Sequence, residues 1–245
     1  MTHKTKGIVI KTINYGETSV ITSVYTELFG LQSYIVKGVR QATKKSAGKQ
    51  MYFQPSAMLE MEVYHNELKN LQFIKEYKWG YLYGKVLFDV MRTAIAQFMI
   101  ELFQHAIKQP EGNPELFYLL EGSLLEADKG SSAAVANLPL YFMLHLATES
   151  GFELHGNFSR QTPVLDLKEG AYTGLEPLHP DYISGPLAEA ISQIQRIQLY
   201  NELENIKLNR QLRRQLLESL LVYLSHHLTG FQKPKSLPVL QELLD

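Results

Sequence analysis

The sequence predicts a two-part α+β protein: a small five-stranded antiparallel barrel, then a mainly helical domain that carries a hairpin-containing insert. Three observations carry this prediction. Five short segments with strand-like alternation crowd into roughly the first 80 residues, leaving no room for crossover helices. From Val86 the apolar spacing changes from two to three-and-four, the period of a helix face. With 245 residues, 45% of them apolar and 11% aromatic, the chain has enough material for buried cores in both parts.

The strands follow in order. In "KGIVIKTI", Ile8 and Ile10 fall on one face and Val9, Lys11 and Ile13 on the other, and "NYGE" supplies turn chemistry. "SVITSVYTE" alternates Val20, Thr22 and Val24. Gly30 breaks the chain before "LQSYIVKGV", where Tyr34 and Val36 alternate with Ser33, Ile35 and Lys37. "MLEMEVYH" places Leu59, Met61 and Val63 inward and Glu60, Glu62 and Tyr64 outward. "LQFIKEY" after Asn66 is the fifth strand. The predicted boundary lies at 79, giving a barrel domain of residues 1–79 and a helical domain of residues 80–245.

The first predicted helix runs from Val86 through Ile107 and stops at Pro110. A second starts with Asn113 as N-cap and Pro114 at the first position. A third is predicted from near Asn137, with Pro139 in its first turn, to Gly151. The last begins around Asn209 and runs to Gly230. Between them, residues 152–185 read as an irregular insert containing a short hairpin, with Leu165 and Leu167 against Tyr172 around Glu169 and Gly170.

Composition excludes several classes. There is no cysteine, hence no disulfide framework and no thiolate zinc site. The N-terminus turns polar too soon for a signal peptide, and no apolar run approaches the roughly 18 residues of a membrane span, so the expected setting is cytoplasmic. "GVRQATKKS" has Lys44 where a phosphate loop needs its second glycine. There is no nucleophile elbow, and His226 and His227 are adjacent, so they diverge on a helix. Glu60 and Glu62 share a strand face with no sign of a cleft around them. A protein that binds, without chemical turnover or a small-molecule substrate, is the expectation.

Charge is unevenly distributed. Residues 1–79 hold eleven Lys/Arg against six Asp/Glu, the remainder thirteen against nineteen. The densest cationic stretch is "VKGVRQATKKSAGKQMYFQP", with Lys37, Arg40, Lys44, Lys45 and Lys49 and no acid. Such a stretch is either a solvated loop or a polyanion contact. Single-strand binders combine a cationic track with rings on which bases stack, often on small barrels. Lys6 and Lys11 extend the cationic set, and Tyr15, Tyr25, Tyr34 and Tyr52 are the candidate rings, of which at least two are expected in the core. A second cluster is formed by Arg210, Arg213 and Arg214, at i, i+3 and i+4 on one side of the last helix, with Lys207 just before them. It suits either an acidic peptide with an apolar anchor or salt bridges to Glu202, Glu204 or a neighbouring helix.

These residues resemble a known family. The segment "KGIVIKTINYGETSVITSVYTELFGLQSYIVKGVR", its Lys-rich continuation, "FQPSAMLEMEVYH" and the tail "YLSHHLTGFQKPKSLPVLQELL" are similar to the RecO family of bacterial recombination and repair proteins. The ordered set Gly7, Tyr15-Gly16-Glu17, Gly30, Lys37-Gly38, Arg40 and Gln54-Pro55 carries the resemblance. It implies an N-terminal OB-fold barrel on a helical domain and a recombination mediator in the bacterial cytoplasm, associated with the nucleoid. Such a mediator binds single- and double-stranded DNA, anneals complementary strands, and with RecR helps load RecA onto strands coated by single-strand-binding protein (SSB). Phosphate contacts would come from Lys37, Arg40, Lys44, Lys45 and Lys49, with Lys11 and Tyr15 as further candidates. Charge alone assigns the SSB C-terminal tail to Lys207, Arg210, Arg213 and Arg214.

Many members carry a Cys-rich zinc motif where this chain has the 152–185 insert. Zinc is therefore not expected, and packing of Phe152, Phe158, Leu165, Leu167 and Tyr172 is expected to hold the insert. The competing reading is a protein-interaction adaptor whose basic barrel docks an acidic protein surface with little DNA binding.

Overall fold

The structure, a computed structural model, describes residues 2–41, 48–107 and 111–244. Contacts divide the chain into two units, Met1–Tyr83 with Ile107–Glu121, and Gly84–Ala106 with Gly122–Asp245. In the first, strands β1 (Thr2–Tyr15), β2 (Ser19–Thr26), β3 (Gly30–Val36), β4 (Met58–Tyr64) and β5 (Gln72–Tyr81) close into a barrel in the order β1-β2-β3-β5-β4. Neighbours are antiparallel except β3 and β5, which pair parallel at Tyr34↔Gln72 and Ile35↔Phe73. The wholly antiparallel expectation is corrected here. Because β4 pairs antiparallel with β1, the β4–β5 hairpin brings β5 up alongside β3 in the same direction. This strand order is the OB-fold arrangement.

β1 serves both halves of the barrel. Its first residues pair with β4 and its last with β2, and a bulge between Val9 and Lys11 lets it bend. Ile8, Val9 and Ile10 are all buried there, which simple alternation does not predict. The interior otherwise follows the expected pattern: Val20, Val24, Tyr34, Val36, Leu59, Met61 and Val63 form one cluster with Val9 and Phe53. Gly7 sits against it, where an added Cβ would lie 2.5 Å from Met61 Cε and 2.6 Å from Val24 Cγ1. Gly7→Ala is therefore expected to destabilise the protein by about 1–3 kcal/mol through overpacking. An unchanged urea midpoint would show that the barrel yields without cost.

Helix α2 (Pro114–Lys129) begins in the first unit, and Asn113 caps it, its Oδ1 accepting from Leu116 N at 3.1 Å. Within that unit Phe117 stacks on Tyr25, whose hydroxyl donates to Asn113 O. Tyr118 bonds Glu27, and Lys6 pairs with Glu121 at 3.0 Å.

The second unit holds α1 (Val90–Ala106), the end of α2, α3 (Ser132–Glu149), α4 (Pro186–Gln195), α5 (Arg210–His227) and α6 (Leu237–Leu244). Helix α1 starts four residues later than the sequence predicts, because Gly84, Lys85 and Val86 are bound otherwise. Their N–H groups all donate to the carboxylate of Asp128, at 2.9, 2.7 and 2.8 Å. Beside it Arg92 donates to the carbonyls of Ala127, Asp128 and Gly130. Both side chains are buried.

Helix α3 starts near Ser132, five residues before the predicted Asn137. Ser131 is the cap, accepting from Ala134 N, and Pro139 lies inside the helix. Asn137 is a buried hub instead: its amide donates to Leu203 O and Ile206 O, and its carbonyl accepts from Arg213 Nε. Helix α5 is capped by Asn209 as predicted, but ends at His227.

Helix α3 also holds His145 half-buried, and the loss of solvent around its ring pushes its pKa below the usual histidine value. The unfolded chain then binds a proton near pH 6.5 that the folded chain resists, so stability falls as pH drops below about 6.5. His145→Gln is expected to flatten that acid limb in urea titrations at pH 5 and pH 7.5. An equal pH dependence in both proteins would assign the limb to other groups.

The insert folds as a three-stranded sheet in the order β7-β6-β8, from β6 (Val164–Asp166), β7 (Ala171–Thr173) and β8 (Tyr182–Ser184). The predicted pairing of Leu165 with Tyr172 is present, and the third strand, Tyr182–Ser184, was not foreseen. Leu165, Leu167 and Tyr172 are buried as expected, together with Leu154, Val164 and Ile183, whereas Phe158 is half-buried and Phe152 exposed. Polar bonds add to the packing. Asp166 accepts from Lys168 N and Glu169 N and pairs with His179 at 3.2 Å, and His226 pairs with Asp181 at 2.8 Å.

Candidate nucleic-acid interface

One end of the barrel gathers most of the predicted N-terminal residues. Tyr15 ends β1, 51% exposed, and Gly16 takes φ 58° in the turn to β2, a left-handed conformation that favours glycine. Arg40 is tied to this turn: its guanidinium donates to Gly16 O at 3.1 Å and its backbone N–H to Thr18 O at 3.0 Å. The basic stretch thus leaves β3 by way of the β1–β2 turn, which sets an arginine beside Tyr15. Lys37 is exposed just past Val36, whose partner Val20 adjoins Ser19, the residue opposite Tyr15.

Lys11 is exposed on β1 opposite Ser23, and Lys49 is half-buried at the start of a 3-10 turn, Lys49–Phe53. Lys44 and Lys45 lie outside the described residues. The chain then returns to the barrel through Ser56 N, which donates to Val9 O, and Val9 N, which donates to Ala57 O. Gln54 and Pro55 thereby mark where the loop rejoins the bulge of β1.

Other candidates have structural occupations. Tyr25 and Tyr34 are core residues, as expected for at least two of the four rings. Tyr52 is half-buried against Trp79, with ring centroids 4.3 Å apart and nearly parallel planes. Lys6 is engaged by Glu121, whose hydrogen bond raises its pKa. Glu60 and Glu62 pair with Lys78 and Lys75, and these hydrogen bonds hold both carboxyls below the usual carboxylate range. They form an exposed ion-pair ladder and not an acid–base pair.

The C-terminal cluster is not one surface. Arg213 is half-buried, bonded to Asn137 Oδ1 and Leu208 O, and burial pushes its pKa down. Arg214 pairs with Glu218 at 3.3 Å, Lys207 donates to Glu204 O, and Arg210 is exposed. Neither Glu202 nor Glu204 takes the arginines: Glu202 accepts from Gln198 N and Leu199 N, and Glu204 from Ser131.

Comparison with known families decides the kinship. The family model described as Recombination protein O N terminal matches residues 1–83, and that described as Recombination protein O C terminal matches residues 87–238. The chain belongs to the RecO family. It is 34% identical over 251 residues to the DNA repair protein RecO of Flavobacterium psychrophilum, and 32% identical over 240 residues to that of Christiangramia forsetii, with 98% of each chain covered in both cases. A third RecO relative, the DNA repair protein of Bacteroides fragilis, is 32% identical over 246 residues with 100% of both chains covered.

The RecO family boundary falls between residues 83 and 87, where the chain reaches the Asp128-bound turn. The barrel's last strand reaches Tyr81, and Tyr83 is still bonded to Ser56 O at 2.7 Å. Among the described residues, no group of three or more His, Asp or Glu side chains is placed to hold a metal, and no helix is long and apolar enough to cross a membrane.

Proposed function

We propose that this chain is a DNA repair protein without enzymatic turnover, which binds single- and double-stranded DNA through its barrel and anneals complementary strands. With RecR it would help load RecA onto SSB-coated strands, acting in the bacterial cytoplasm at the nucleoid. The observation that carries this reading is the junction of Arg40 with the β1–β2 turn. It gathers Arg40, Lys37 and Tyr15 at the root of a stretch whose remaining charges, Lys44, Lys45 and Lys49, are all positive. The kinship to DNA repair proteins over nearly the whole chain supports the same reading.

For the acidic SSB tail, Lys207, Arg210 and Arg214 remain candidates, while Arg213 serves the fold. The insert is proposed to do without zinc, its Asp166 and Asp181 contacts and its buried core doing the work of the absent cysteines.

The test is annealing of labelled complementary oligonucleotides, with binding to each strand followed across salt. Single-strand affinity should fall with a log–log slope of roughly −2 to −4, about −0.7 for each phosphate neutralised. A slope near zero, or no binding at low salt, would move the barrel to a protein-docking role.

A further inference from the structure

The insert meets α4 and α5 along a groove of about 270 Å³. Its apolar lining comes from Leu167 and Ile183 of the insert, Leu187 of α4 and Val222 of α5, and the half-buried Tyr182 adds a ring. The charged side chains among the described lining residues are Asp181 and Glu218, both acidic. Each has a partner at the surface. His226 bonds Asp181 at 2.8 Å and is itself exposed. Glu218 accepts from Arg214, one turn back, at 3.3 Å and from Gln241 at 3.2 Å, and such an exposed i,i+4 ion pair contributes little. Two further cationic residues adjoin the lining in the chain. Lys168, next to Leu167, is exposed, and His179, next to Pro180, is bonded to Asp166.

Size and sign narrow the occupant. A volume just below the roughly 300–1,000 Å³ of small-molecule pockets takes one long side chain rather than a cofactor. Apolar walls suit the methylene stem of arginine or lysine, and partly exposed carboxylates suit its charged head. An acidic peptide or a phosphate is repelled by the same two groups. Beside the groove the chain displays apolar surface: in the loop from β7 to β8, Leu178 is wholly exposed and Leu175 is 81% exposed. Leu178 stands two positions before Pro180 of the lining, at most about 7 Å along the chain. The loop is tied by Leu175 N donating to Thr173 Oγ1, by the His179–Asp166 pair and by Leu167 N donating to Asp181 O. These leucines are thus held out at fixed positions, where they add nothing to the core.

We infer that the groove docks a basic segment of a protein partner. An arginine or lysine of that segment enters between Asp181 and Glu218, displacing Arg214, and its apolar neighbour covers Leu178. This gives the helical unit a binding function of its own, independent of whether the barrel binds DNA.

The probe is a fluorescein-labelled pentapeptide with arginine between two leucines and glycine at each end, titrated with the full chain and followed by polarisation. Its analogues carry glutamate, or the neutral and similarly shaped citrulline, in place of the arginine. The wild type should bind the arginine peptide about ten-fold more tightly than the citrulline peptide, the effect of one charge-assisted contact, and leave the glutamate peptide unbound. Glu218→Gln should remove most of that preference, and Leu178→Ser should weaken the arginine and citrulline peptides alike. Both side chains are exposed, so folding is kept, and Asp181→Asn is a third variant on the opposite wall. Equal affinity for the arginine and citrulline peptides overturns the inference, as does no binding of any peptide, or binding that all three variants leave unchanged. A wild-type dimer in sedimentation that Leu178→Ser dissociates, with no peptide bound, overturns it and assigns the loop to a second copy of this chain.

Discussion

Asp128→Ala should lower the stability of the helical unit by about 3–5 kcal/mol. Its carboxylate takes three consecutive backbone N–H groups, from Gly84, Lys85 and Val86. Hydrogen bonds to a charged group contribute about 1.5–3 kcal/mol each, although three on one carboxylate do not add fully. Truncation leaves these donors without the acceptor that organises the turn ahead of α1. Nearby Arg92 keeps its carbonyl acceptors, but they sit on the stretch that Asp128 anchors. Since a domain has only about 5–15 kcal/mol in total, the helical circular dichroism signal should melt at a much lower urea concentration. Asp128→Asn retains one acceptor oxygen and should fall between. A midpoint within experimental error of the wild type for Asp128→Ala would mean that water replaces the carboxylate at no cost.

Reversing Lys44 and Lys45 to glutamate should weaken single-strand binding about 100-fold at 50 mM salt. Two charge-assisted phosphate contacts at about 1.5 kcal/mol each give that factor, and the repulsion of two added carboxylates goes the same way. The salt slope should shrink by about 1.4, which is two phosphates at 0.7 each. Annealing should fail with it. Both lysines lie outside the described residues, so their charge in the sequence is the basis. The helical unit offers the internal control: Arg210→Glu should leave strand affinity and slope unchanged. Equal binding by wild type and the lysine double variant would detach the basic stretch from DNA and favour the adaptor reading.

Much of the fold was legible because period and caps are local properties. Alternation placed Leu59, Met61 and Val63 inward, where they are buried, and Asn113 and Asn209 announced two helix starts. The failures share a cause, contacts distant in sequence. The delayed start of α1 depends on Asp128, some forty residues away. Asn137 read as a helix start because its role as a hub depends on Leu203, Ile206 and Arg213. At the candidate interface, charge located the basic stretch, but nothing in the sequence tied Arg40 to Gly16. The arginine cluster on α5 looked uniform in a helical projection, and burial separates Arg213 from its neighbours.

The barrel's ladder is uneven in extent. β1 meets β2 and β4 over many pairs, but β3 meets β5 at only two, and that pairing joins segments almost 40 residues apart. The ring is therefore joined most weakly there, since few bonds form across that pair of strands. A ring with one weak link behaves in solution as a sheet that opens there first, and amide protons along the β3–β5 join should exchange ahead of those of β1 and β2. Ile35 and Phe73 stand on either side of that link. A ligand lying across them would act as a clasp, so that its binding and the closure of the ring rise and fall together.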